Sequence, residues 1–137
     1  MKFASKLALL FGSLGLVLTI FLIIVYYMHL YFLSNSSIEV IYYTTSTYLA
    51  AITFFSLSLG IGIASMVTRS RRKSSYLMLV SAVIAFAGYV FPCKRLWTLG
   101  YLSALSETIS IGIIHMTLLI SSSFLLKVEC KPKVYEY

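Results

Sequence analysis

The stretch "SALSETISIGIIHMTLL", residues 103–119, is apolar enough to belong inside a bilayer, yet it carries a glutamate and a histidine. Extended in both directions it becomes one hydrophobic run, 96–126, stopped by Lys127. A run of that length is read as a membrane-spanning helix. If it is one, Glu107 is a carboxyl placed in hydrocarbon, where intramembrane acids are uncommon and tied to pairing or function.

The rest of the chain supports that reading. Of its 137 residues 60% are apolar and 11% charged, with no aspartate and four glutamates. Soluble domains carry about a quarter charged residues, so lipid is the natural solvent for most of this chain. Three further runs precede the last one. The first, 7–33, has no charged residue and ends before "SNSSIE". The second is placed at 47–67 and stops at the dense charge cluster "TRSRRKSS". The third, 74–91, starts at Ser74 or Ser75 as N-cap and ends before Pro92, which cannot easily continue a helix. The expected fold is all-α: a single transmembrane domain, 1–137, built as a four-helix bundle with short loops and a tail at 127–137.

Orientation follows from the loops. Lys2, Lys6, Arg69, Arg71, Arg72, Lys73, Lys127, Lys131 and Lys133 fall on one side, and only Lys94 and Arg95 on the other. Positive charge collects in the cytoplasm, so both termini are expected there. The same distribution explains the net charge of +7 without nucleic acid, because the basic residues end hydrophobic runs and line no groove. Arg69, Arg71, Arg72 and Lys73 are placed to touch anionic lipid heads. Tyr26, Tyr27, Tyr31, Tyr42, Tyr43, Tyr48, Tyr89, Trp97 and Tyr101 gather near the opposite ends of the runs, as an interfacial aromatic belt does. Asn35-Ser36-Ser37 matches a glycosylation sequon on that outer side. Cys93 is expected in the second outer loop and Cys130 in the cytoplasmic tail, so the bilayer keeps them from pairing.

Two patterns mark the last run as the helix that packs most closely. Ser103, Glu107, Ser110, Ile114, Thr117 and Ser121 alternate by four and three residues. That heptad seam is expected to face protein, its hydroxyls and carboxyl bonding to neighbouring helices. Beside it Gly100, Ala104, Thr108 and Gly112 form a small-residue row. Gly12, Gly60, Gly62 and Gly88 offer matching close-approach positions on the other runs.

Glu107 lies about ten residues into its run, roughly 15 Å deep. Either it is a proton or cation site, or it ties helices together through Ser103, Ser106 and Ser110. No cation at matching depth is evident, Lys94 and Arg95 lying too far out. His115 is eight residues further on, off the same face and nearer the inner side. It is read as a hydrogen bond to a neighbouring helix, or as a relay. His29 sits at the outer end of the first run. The two histidines are too far apart in depth to hold one haem iron, and serve as haem ligands only if a partner shares the group. No Cys/His cluster, GxSxG elbow, phosphate loop or carboxylate pair occurs, so neither a metal, a cofactor nor an enzymatic site is expected. The expected function is a small non-enzymatic subunit that packs in the bilayer with other membrane proteins or with itself. A proton- or cation-coupled transporter using Glu107 is the alternative. A redox-complex subunit sharing haem or quinone is the third.

Overall fold

The computed structural model describes residues 3–32 and 38–129. Four helices account for them: α1 (Phe3–Phe32), α2 (Ile38–Val67), α3 (Arg71–Leu99) and α4 (Leu102–Glu129). Each contains a segment long and apolar enough to cross a membrane. The helices form an antiparallel square in which α1 packs on α2 and α4, and α3 packs on α2 and α4. One end of the square carries the basic turn between α2 and α3, and the other carries the tyrosines. The Asn35 sequon, Cys130 and the tail beyond it lie outside the described residues.

The buried positions repeat every seven residues on all four helices. On α1 they include Ser5, Gly12, Thr19 and Tyr26, and on α2 Ala51, Ser58 and Ser65. On α3 the row Ser74, Ser81 and Gly88 does the same, and on α4 Gly112, Leu119 and Leu126. A seven-residue period keeps one stripe facing its neighbours in left-handed packing. Much of this stripe is hydroxyl. Ser58 and Ser81 each donate to the other's carbonyl, at 2.8 and 2.7 Å, clasping α2 to α3. Ser65 and Ser74 repeat the clasp one heptad nearer the basic end, both bonds at 2.6 Å. Ser75 and Ser123 join α3 to α4 in the same way, at 2.8 and 2.9 Å. Ser122 donates to the Ala8 carbonyl at 2.7 Å, tying α4 to α1. Small side chains let the backbones come close enough for these bonds.

Several ends differ from the sequence expectation: α2 starts at Ile38 rather than residue 47, and α4 at Leu102 rather than residue 96. The third helix does not stop at Pro92: it runs on through Cys93, Lys94 and Arg95 to Leu99. Proline removes its own bond to the carbonyl four residues back and its ring crowds that carbonyl, but Pro92 is buried among neighbours that hold the helix together. The true stop is Gly100, with φ at 77°. Its N–H donates to the Trp97 carbonyl and that of Tyr101 to the Leu96 carbonyl, a Schellman cap that favours glycine. At the other end, Ser70 rather than Ser74 or Ser75 caps α3, accepting from the Lys73 N–H. Ser74 and Ser75 are committed to the clasps instead. Cys93 is therefore a half-buried helical residue with a free thiol, not a loop residue.

Candidate functional site

Moving the start of the last helix from residue 96 to Leu102 changes what Glu107 is. It lies five residues into α4, about 8 Å from the helix end, not 15 Å into hydrocarbon. His115 sits at the midpoint of α4 rather than towards its inner end, and it is fully buried.

The seam expected on α4 has the right period in the wrong phase. Ser103, Glu107, Ser110, Ile114 and Thr117 are exposed, and Ser121 is half-buried. The face turned inward lies one residue on, through Thr108, Ile111, His115, Leu118 and Ser122, of which His115 and Ser122 are buried outright. The exposed hydroxyls meet their own helix: Ser110 donates to the Ser106 carbonyl at 2.9 Å and Thr117 to the Ile113 carbonyl at 2.7 Å. A hydroxyl satisfied four residues back has no need of a neighbouring helix.

The glycines divide similarly. A β-carbon on Gly12 would lie 2.9 Å from the Ser122 hydroxyl, one on Gly88 3.1 Å from the Phe55 ring, and one on Gly62 would collide with Leu16. Gly112 lies against the Tyr89 ring at ordinary contact distance. Gly60 and Gly100 meet nothing within 4 Å and are not packing glycines within this chain.

The inward face of α4 builds the polar centre of the molecule. His115 Nε2 is 2.6 Å from Thr19 Oγ1 on α1, and its Nδ1 is 2.8 Å from the Tyr89 hydroxyl on α3. Thr19 gives its hydroxyl hydrogen to the Gly15 carbonyl at 2.9 Å, so its oxygen is an acceptor for an Nε2–H. Nδ1 then accepts from Tyr89. One chain of donors, Tyr89 to His115 to Thr19 to Gly15, crosses the bundle with every proton placed. Both ring nitrogens are thereby engaged, which leaves His115 no lone pair to offer an iron. Phe55 from α2 closes the centre, its ring 4.9 Å from that of Tyr89, 5.9 Å from Tyr26 and 6.4 Å from His115.

Above this centre, towards the tyrosine end, is a cavity of about 480 Å³. Its walls include Leu22, Tyr26 and His29 of α1, Tyr48 of α2, Tyr89, Pro92 and Arg95 of α3, Tyr101 of the turn that follows, and Glu107 and Ile111 of α4. His29 Nδ1 donates to the Val25 carbonyl at 2.8 Å and its ring stands edge-on to Tyr48. Because α3 stays helical past Pro92, Arg95 shares this cavity with Glu107: the cation that seemed too far out lines the same space. A second hollow, a lateral groove of about 460 Å³, runs between α3 and α4. Phe86, Ile109, Ile113, Met116 and Ile120 line it, with Cys93, Gly112, Thr117 and Ser121. Tyr89 and Thr108 border both hollows. Among the described residues no group of three or more His, Cys, Asp or Glu is placed to hold a metal.

The sequence alone points to Glu107 and His115 but places Tyr89 in the interfacial belt. The seven-residue repeat of Ser5, Gly12, Thr19 and Tyr26 was the signal that could have placed Thr19 inside. Comparison of the chain with protein-family models, with curated proteins and with solved structures finds no match.

Proposed function

We propose that the chain is a small, non-catalytic integral membrane subunit, with both termini cytoplasmic, that docks a transmembrane helix of another protein or of a second copy along its α3–α4 face. The groove between α3 and α4 is the observation that carries this reading. It lies in the middle of two membrane-length helices, has apolar walls, and carries Thr117 and Ser121 along one side. The Ser121 hydroxyl beside these apolar walls is placed to add an interhelical bond. In the sequence nine basic residues fall on one side of the runs and two on the other, which supports the orientation.

Gentle extraction of the tagged protein, followed by native mass spectrometry with an absorption spectrum of the same sample, tests the reading. A second chain in fixed stoichiometry is expected, and it should be lost when Thr117→Phe fills the groove. A monomer that behaves identically with and without that substitution would refute it.

A second reading, coupled proton movement, is favoured by the hydrogen-bond chain from Tyr89 through His115 to Thr19, beneath a cavity lined by Glu107. Its mark would be proton flux into liposomes that Glu107→Gln abolishes while the fold is retained.

A further inference from the structure

We propose that the cleft between the tyrosine-end halves of α1 and α4 holds a membrane lipid with a zwitterionic, ammonium-bearing head, its phosphate at Arg95 and its ammonium at Glu107. The inference rests on the membrane reading above but not on any protein partner.

Shape comes first. Between α1 and α4 the close contacts are Ala8 with Ser122, Gly12 with Ser122, Gly15 with Leu119, and Thr19 with His115. All lie in the half nearer the basic end or at the middle. Beyond them no residue of α4 from Leu102 to Ile111 is buried, and the cavity of about 480 Å³ occupies the space. Its size is that of sites for small molecules. It is walled mainly by α1, α3 and α4, with the exposed Phe21 of α1 and Glu107 of α4 in its lining, and a lipid in the leaflet would enter between those two helices.

Polarity comes second, and it runs along the cleft as it does along a lipid. Arg95 is four residues from the end of α3 and Glu107 five from the start of α4, so both lie about 6–8 Å below the helix ends. That is headgroup depth. Further in, Leu22 and Ile111 give the walls apolar surface beside the rings of Tyr26 and Tyr89. A charged head above and a chain below match this order, whereas a free polar solute would leave the lower walls without an apolar partner.

The charges then choose the head. Arginine presents paired donors suited to phosphate. Glu107 gives the same cavity an acceptor for a cation and repels a head that is only anionic. Tyr26, Tyr48 and Tyr101 line the same space, and aromatic faces attract ammonium groups. A neutral lipid would match neither charge.

The test is lipid retention by the full chain in nanodiscs made from equal parts phosphatidylethanolamine and phosphatidylglycerol. The protein is then released into detergent and weighed by native mass spectrometry. One phosphatidylethanolamine per chain is expected, favoured over phosphatidylglycerol by at least about tenfold. Glu107→Gln and Arg95→Gln should each lower its retention about tenfold, while Lys127→Gln at the basic end leaves it unchanged. Gel-filtration position and unfolding midpoint report that the variants fold, and the wild-type head selectivity stands without them. Equal retention of the two lipids, retention of none, or retention indifferent to both cleft variants would each overturn the proposal.

Discussion

The hydrogen bond between Tyr89 and His115 makes a quantitative prediction. Both side chains are buried, and the bond is 2.8 Å long. Tyr89→Phe keeps the ring against Phe55 but leaves His115 Nδ1 with no donor, a loss of about 1–3 kcal/mol for a buried group left unsatisfied. His115→Leu removes two bonds. Thr19 keeps its bond to Gly15, but the Tyr89 hydroxyl is orphaned in the core, so the cost is larger, about 2–4 kcal/mol. In the double variant no orphan remains between the two positions. It should therefore be more stable than the sum of the single losses by about 1–2 kcal/mol, within the range seen for residues in direct contact. Reversible unfolding in mixed micelles by titration with dodecyl sulfate measures all three variants on one scale. Additivity within about 0.5 kcal/mol would show that the pair shares no bond and would remove the donor chain on which the proton reading depends.

Packing and capping give three more expectations, read in the same unfolding assay. Gly62→Val should destabilise by about 1–3 kcal/mol, because its β-carbon meets Leu16 and the Ser81 hydroxyl, whereas Gly60→Val should stay within about 0.5 kcal/mol. Ser81→Ala breaks an interhelical clasp and should cost about 0.6–1.7 kcal/mol, while Ser110→Ala, whose bond is to its own helix, should be neutral. Gly100→Ala forces a β-carbon into the left-handed region at φ 77° and should cost about 1–2 kcal/mol; a neutral result would refute the cap.

How much of this was legible in the sequence depended on which physical signal was strong. Four long apolar runs are hard to mistake, and their number and order are those of the helices. Ends were harder where two signals conflicted. Pro92 looked like a stop because proline breaks isolated helices, but a buried proline in a packed helix loses a single bond, and the glycine eight residues later held the real cap. That slip carried into the site, since it set Glu107 too deep and put Arg95 in a loop. The phase of α4 was misread for a different reason. Polarity was taken to mean inward, but serine and threonine can satisfy themselves against their own backbone, so hydroxyl content does not identify the packed face of a membrane helix. His115 does identify it: an imidazole needs partners at both nitrogens, and α1 and α3 supply them.

The two halves of the bundle follow from residue size. Towards the basic end the interior is rich in serine, glycine and alanine beside Met78, Leu119 and Leu126, so helices approach until hydroxyls reach facing carbonyls, as in the pairs Ser58–Ser81, Ser65–Ser74 and Ser75–Ser123. Towards the tyrosine end the interior becomes Tyr26, Tyr48, Phe55 and Tyr89. Rings of that size hold the helices apart, and α4 beyond Gly112 has no buried residue to draw it back. A cavity is the geometric consequence, and Arg95 and Glu107 are in its lining. His115 stands at the boundary, bonded to Thr19 on the close-packed side and to Tyr89 on the open side. A ligand that moves Tyr89 would break the bond on one side while the clasps hold the other, so the imidazole, with the Phe55 ring packed on Tyr89, couples the cleft to the core.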